Sequence, residues 1–439
     1  MSHRDRQILQ LALPSIISNI TVPLLGLVDV AIVGHIGDAS YIAAIAVGSM
    51  IFNTLYWLFG FLRMGTSGLT AQALGARQLD EAAALLWRSL LVAMSVAGTI
   101  LLFQVPLRHL AFFLMRPTPE VELLAIPYYY IVVWGAPAML GLYGLTGWFV
   151  GMQNTRMPMF ISIFQNVVNI LASLFFVFAL GMRVEGVALG TVVAQWTGFL
   201  VALGLLWHSY GRRLLRRASR EAVLRLQDYG RFFAVNRDIF LRTLFLVAVN
   251  LFFTSAGAAQ GAMILAVNTL LMQLYLLFSY IMDGFAFAGE ALSGRYYGAR
   301  NFSALGDVVS RLFRWGAAMV VLFTAAYAWG GPSFLHLLTS DNSVIHASAG
   351  YFFWALLIPV AGVGAFIWDG IFIGLTMSRG MFVSSAWSAV SFFAVYFLLG
   401  HYHLLPSLGP NHALWFSMVV YLAMRGIIQT GLYRQANAS

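Results

Sequence analysis

The stretch Gly60-Phe-Leu-Arg-Met-Gly-Thr-Ser-Gly-Leu-Thr-Ala-Gln-Ala-Leu-Gly-Ala-Arg77 aligns without gaps on Asp283-Gly-Phe-Ala-Phe-Ala-Gly-Glu-Ala-Leu-Ser-Gly-Arg-Tyr-Tyr-Gly-Ala-Arg300, 223 residues further on. At the same offset, Gly147-Trp-Phe-Val-Gly-Met-Gln-Asn-Thr-Arg156 aligns on Gly370-Ile-Phe-Ile-Gly-Leu-Thr-Met-Ser-Arg379. Two anchors at one spacing mark an internal duplication. A membrane chain built of two like halves is the usual plan of a secondary transporter, with its sites near the bilayer midplane.

The composition places the chain in a membrane. Of 439 residues, 60% are apolar and 9% charged, against about 25% charged in a soluble domain. A span takes about 20 apolar residues. Twelve such stretches are expected, near 8–33, 41–70, 84–106, 123–150, 158–181, 186–208, 237–257, 262–290, 308–330, 344–374, 380–400 and 411–433. The fold class is an all-α polytopic membrane protein. Its first six helices (1–210) and last six (237–439) form two lobes joined by a basic linker (211–236). Six is an even number and both anchors repeat in the same direction, so the lobes are expected to be related by a pseudo-twofold axis along the membrane normal.

All 25 basic residues are arginine. Arg4, Arg6, Arg77, Arg88, Arg156, Arg300, Arg379 and Arg434 fall at alternate span ends, and the linker adds more on that side. Arg108, Arg116 and Arg183 are the arginines of the opposite loops. The positive-inside rule then makes both termini and the linker cytoplasmic. The net charge of +9 is read as a topology signal and not as a nucleic-acid surface. With no cysteine there is no disulfide and no thiolate metal site. No Walker pattern is present, which disfavours an ATP-driven pump. The Gly-Ala-Arg ends of the first anchors mark where spans 2 and 8 leave the membrane, with glycine expected to supply the left-handed cap.

Four acids lie inside apolar stretches: Asp29 in span 1, Asp283 and Glu290 in span 8, and Asp369 in span 10. An ionisable group at that depth costs about 3 kcal/mol or more, which makes it a functional candidate. Asp29 shares its span with Pro14, Pro23 and Gly26, and proline removes a helical hydrogen bond, so a kink is expected. In span 5, Ser162, Asn166, Asn169 and Ser173 recur on one helical face. Amides there can serve a carboxyl in either protonation state, or simply hold helices together. The counterparts of this stripe are Ser385, Ala389, Phe392 and Tyr396, and Asp29 maps on Phe252. Asp283, Glu290 and Asp369 could hold a proton, a monovalent cation or a cationic substrate, or pair with Arg63. Tyr275, Phe278, Phe285, Phe287 and Trp368 lie near these acids, and aromatic faces attract organic cations. His401, His403 and His412 read as an exposed loop, not as a metal site.

At these residues the chain resembles MATE (multidrug and toxic compound extrusion) transporters. Val28-Asp-Val-Ala-Ile-Val-Gly-His-Ile-Gly37 is similar to their first helix, Leu62 to Gly75 to their second, and Gly186-Val-Ala-Leu-Gly-Thr191 to the start of their sixth. Asn236-Arg-Asp-Ile-Phe-Leu-Arg242, Met282 to Glu290 and Trp368 to Gly374 are similar to the family's DNA-damage-inducible protein F branch. The resemblance spans nearly the whole chain. It implies a two-lobed, ion-coupled antiporter of lipophilic cations. Asp29 is then the protonation site, with Asn169, Thr191 and, less closely matched, Thr146 as its hydrogen-bonding neighbours. Many relatives carry a second aspartate where this chain has Ser173, which leaves one first-lobe carboxylate. In sodium-coupled relatives the positions of Glu290 and Asp369 bind the cation.

The reading that follows is a drug/proton antiporter of a bacterial inner membrane. It is not an enzyme, has no cofactor beyond the coupling ion, takes small lipophilic cations as substrates, does not bind nucleic acid and works as a monomer. The alternatives are sodium coupling through Glu290 and Asp369, or a lipid or lipid-linked flippase. A flippase would want an arginine-lined cleft, whereas these spans offer four acids against few arginines such as Arg63.

Overall fold

A computed structural model describes residues 2–34, 39–211, 214, 218–339, 341–401 and 409–438. Every regular element among them is helical. Eleven stretches are long and apolar enough to cross a membrane. Helix α1 (His3–Gly34), with 32 residues and a length of about 48 Å at 1.5 Å per residue, supplies the length of a further one. The all-α, polytopic character is as the sequence indicates.

The described chain forms two compact units. The first runs from Leu13 to Asn236 and includes Gly298–Arg300. After the larger part of α1 it holds α2 (Ala39–Leu58), α3 (Phe61–Gly75), α4 (Leu79–Leu102), α5 (Gln104–Met115), α6 (Pro119–Val132), α7 (Ala136–Gly151), α8 (Arg156–Leu174), α9 (Val184–Leu206) and the short α10 (Arg220–Leu224). α2 with α3, and α6 with α7, each make one span. Its core is aromatic as well as aliphatic. Phe52, Tyr56, Tyr128 and Tyr129 are buried together, and Trp148 is wholly buried, donating from its indole to the Ala82 carbonyl at 2.7 Å.

The second unit comprises Met1–Ala12, Arg237–Tyr297 and Asn301–Ser439. It holds α11 (Leu226–Ala259) from Arg237 on, α12 (Ala262–Gly298), α13 (Phe302–Gly330), α14 (Asn342–Ala349), α15 (Phe352–Gly374), α16 (Ser378–His401) and α17 (Pro410–Ala438). The first turns of α1 belong here through an ionic network with α13. Arg4 binds Asp307 at 2.6 Å, Arg311 binds Asp5 at 2.9 Å and Asp307 at 3.0 Å, and Tyr296 donates to Gln7 at 3.0 Å.

The repeated anchors mark one packing device used twice. A β-carbon on Gly147 would stand 2.3 Å from the Arg63 carbonyl oxygen, and one on Gly370 would stand 2.2 Å from that of Ala286. Arg63 and Ala286 are themselves repeat equivalents. One turn on, Gly151 meets Ser67 and Thr70 as Gly374 meets Glu290 and Ser293. Only glycine lets α7 cross α3, and α15 cross α12, this closely.

The helix ends differ from expectation. The left-handed residue after α3 is Arg77 (φ 59°), and after α12 it is Arg300 (φ 53°), not a glycine. Gln153 (φ 64°) and Thr376 (φ 53°) repeat the geometry after α7 and α15. In each case the next amide reaches back five residues, as Gln78 N–H does to the Ala73 carbonyl at 2.9 Å and Asn301 N–H to that of Tyr296 at 2.9 Å. The closed Schellman loop satisfies an otherwise orphaned carbonyl and offsets the cost of a side chain at positive φ.

Arg88 also departs from its expected place among the topology charges. Its side chain is 1% exposed and binds Glu81 and Asp228, each at 2.7 Å. It also donates to the Ala222 carbonyl at 2.6 Å, which ties the linker to α4. The linker is helical in part, since α10 lies within it and α11 starts at Leu226.

Candidate functional site

In the first unit the polar stripe of α8 meets α9. Gly190 makes this possible: a β-carbon there would stand 2.3 Å from the Ser173 hydroxyl. Ser173, wholly buried, donates to Asn169 Oδ1 at 3.3 Å, and Asn169 Nδ2 donates to the Thr191 hydroxyl at 3.5 Å. The Nδ2 of Asn166, one turn earlier on α8, is buried with no hydrogen-bond acceptor among the described residues. Thr146 stays outside this ladder, because its hydroxyl donates to Leu142 and Tyr143 carbonyls of its own helix. A threonine in a helix readily bonds back in this way.

Helix α1 joins the stripe at its start, where the Thr21 and Ser162 hydroxyls lie 3.4 Å apart. The helix runs unbroken through Pro14 and Pro23. Asp29 and Gly26 lie on the same helix; the side chain of Asp29 and the surroundings of Gly26 lie outside the described residues.

At the repeat-equivalent place in the second unit the chemistry is apolar. Phe252, the counterpart of Asp29, packs edge-to-face on Phe392 at 5.9 Å and on Tyr396 at 5.2 Å between ring centroids. Those rings are the counterparts of Asn169 and Ser173. One frame therefore carries an amide–hydroxyl ladder in one half and an aromatic cluster in the other.

The second unit has its own polar centre, deeper along the chain. Asp369, on α15, accepts from Arg242 of α11 and from Arg425 of α17 on one oxygen, Oδ2, the latter at 2.5 Å. Its other oxygen accepts from Gln429 Nε2 at 2.8 Å. The four side chains are nearly or wholly buried. Asp283 stands in electrostatic range of Arg425 and of Tyr275. Glu290 is wholly buried on α12, with its carbonyl at the Gly374 crossing.

The arginines on Asp369 are thus Arg242 and Arg425, and the spans hold more arginine than a count centred on Arg63 gives. Arg242 and Arg425 were missed because they lie 127 and 56 residues from their partner, beyond any local spacing rule. Their position inside apolar spans was the available signal.

Around this centre Trp368 donates to Thr430 at 2.7 Å, and Tyr275 packs on Phe366. His412 lies on α17 and not in a loop. It accepts from the Trp354 indole at 3.0 Å, because the buried N–H needs an acceptor. His403 and the side chain of His401 lie outside the described residues. Among those described, no cluster of histidine and acid side chains could hold a metal ion.

Comparison with known proteins follows the same two-part plan. The MatE family model matches twice, over residues 14–175 and 239–399, once in each half. DNA damage-inducible protein F of Escherichia coli strain K12 is 37% identical over 99% of this chain and 93% of its own length. A probable multidrug resistance protein NorM of Acinetobacter baylyi is 22% identical over 96% of this chain and 94% of its own. A solved multidrug resistance MATE family transporter in an outward-facing conformation superposes with a TM-score of 0.89 at 19% identity. That superposition covers 99% of this chain and 96% of the other.

Proposed function

Since the chain belongs to the MatE family and is a multi-pass membrane transporter of the multidrug efflux type, we propose that it exports lipophilic cationic compounds in exchange for protons, with Asp29 as the protonation site. The observation that carries this reading is the contrast between the halves. Phe252 packs on Phe392 and Tyr396, and the repeat sets Asp29 against their counterparts Asn169 and Ser173. By sequence, then, the repeat carries a carboxyl, an amide and a hydroxyl at the three positions where the second half carries rings. An amide gives a hydrogen bond to a carboxylate and accepts one from a carboxylic acid, so the ladder serves both protonation states. Exchange requires that protonation favour one conformation over the other. Pro14 and Pro23, each lacking an N–H for the helix ladder, make α1 the element that answers the change of charge.

Coupling by sodium through Glu290 and Asp369 is less well supported, because both oxygens of Asp369 are occupied by Arg242, Arg425 and Gln429. The arginines at span ends favour cytoplasmic termini and linker in a bacterial inner membrane. The test is proton flux in proteoliposomes on adding ethidium under an imposed pH gradient without sodium. Flux in the wild type and its loss in Asp29→Asn supports the reading. Undiminished exchange in Asp29→Asn overturns it. Flux only with sodium moves the coupling to the second half, and silence in both conditions favours a flippase.

A further inference from the structure

We propose that Arg242 and Arg425 form a recognition site in the second unit for an oxyanion, the carboxylate of an acidic or zwitterionic compound being its simplest ligand. Three helices, α11, α15 and α17, bring these side chains together around Asp369. Both guanidinium groups donate to the same carboxylate oxygen, so Asp369 aligns them and leaves them short of acceptors. A guanidinium has more N–H donors than its share of one carboxylate can satisfy. Among the described residues, the Nε of Arg242 and the Nε of Arg425 are buried without an acceptor, and the Tyr421 ring lies 5.6 Å from the Arg425 guanidinium carbon. Arg242 is 7% exposed, Arg425 3% and Gln429 0%. Orphaned polar atoms at such depth are costly unless a further partner completes them.

The chemistry of that partner follows from the donor set. Guanidinium matches carboxylate and other oxyanions in a fork geometry. A cation entering here would meet two positive charges beside an aspartate whose oxygens are already engaged. Asp283 stands in electrostatic range of Arg425 as well. The proposal rests on the transport reading only in treating the ligand as cargo, and it extends that cargo from cations to compounds bearing an acid group.

The experiment is equilibrium binding to the purified full-length protein in detergent, so it is independent of proton exchange at Asp29. The probes are 1-naphthoate and its cationic analogue 1-naphthylmethylamine, with inorganic phosphate as competitor. Saturable naphthoate binding is expected, weakened tenfold or more in Arg425→Gln and in Arg242→Gln and partly kept in Arg425→Lys. Asp369→Asn should tighten it several-fold, because the competing negative charge is gone; a purely structural ion pair would not give that gain. Competition by phosphate would widen the site to oxyanions generally, and its absence would restrict it to carboxylates. No naphthoate binding, affinity unchanged in both arginine variants, or preference for the amine would overturn the proposal. Where an arginine variant does not fold, the preference of the wild type for acid over amine and the gain in Asp369→Asn decide it.

Discussion

Asn268 on α12 and Asn411 on α17 hold each other by two reciprocal amide hydrogen bonds at 2.8 and 2.9 Å, and Trp415 donates to Asn268 at 2.9 Å. All three are buried. Asn411→Leu leaves an amide donor unmatched and should cost about 1–3 kcal/mol, read as a lowered unfolding temperature. Asn268→Leu combined with Asn411→Leu should cost less than the two single changes together, because the pair is then removed as a unit. At the first turn of α1, the Ser2 contacts and Arg311 hold the Asp5 carboxyl down at about 2 from its usual 3.8. The folded value is the lower one, so its stabilisation is complete above pH 3.8 and is lost as pH falls toward 2. Unfolding temperature measured across that window should drop more steeply in the wild type than in Asp5→Asn. Single residues were legible where their chemistry was out of place: acids in apolar helices announce themselves, as Asp369 did. Arginines read as span-end charges did not, so Arg88 was assigned to topology although it is buried against Glu81 and Asp228.

Between helices, contact is decided by where a β-carbon is missing. Gly370→Ala would drive a methyl into the Ala286 carbonyl, which is backbone and cannot rotate away. Parting α12 and α15 to admit it should cost about 1–3 kcal/mol or more. Gly204→Ala, on α9 with open space around it, should be neutral or stabilising by up to about 1 kcal/mol. Unfolding midpoints of the two variants would separate a crossing glycine from an incidental one. Both crossings were visible as a repeat before any coordinates, but not as crossings, because the meaning of Gly147 and Gly370 lies in the facing helix. The caps were misplaced for a related reason. Sequence favours glycine at positive φ, while the closed loops at Arg77 and Arg300 satisfy their carbonyls well enough to hold an arginine there. Spans were read to within a few residues where hydropathy changes sharply. They were read too short where a polar helix continues beyond the apolar run, as α11 does from Leu226.

Over the whole chain, the duplication and the division into compact units are different partitions. The sequence repeat runs half against half, and the family model follows it. The compact units exchange small pieces: the residues up to Ala12 pack with helices from the second half, and Gly298–Arg300 pack with the first. Amphipathic period and repeat offset are local in sequence and do not report such exchanges. Arg4 and Asp5 on α1, and Asp307 and Arg311 on α13, settle the matter by pairing across about 300 residues of chain. If the gene were cut within the linker, the fragment carrying α11 to α17 would lack both α1 partners of α13. Made alone, it should unfold at a lower temperature than when made together with the fragment carrying α1 to α9. Adding a peptide of residues 2–12 should recover part of that loss. Ancestry and self-sufficiency thus come apart here: each half descends as a copy of the other, yet the later copy is finished only by the opening words of the earlier one.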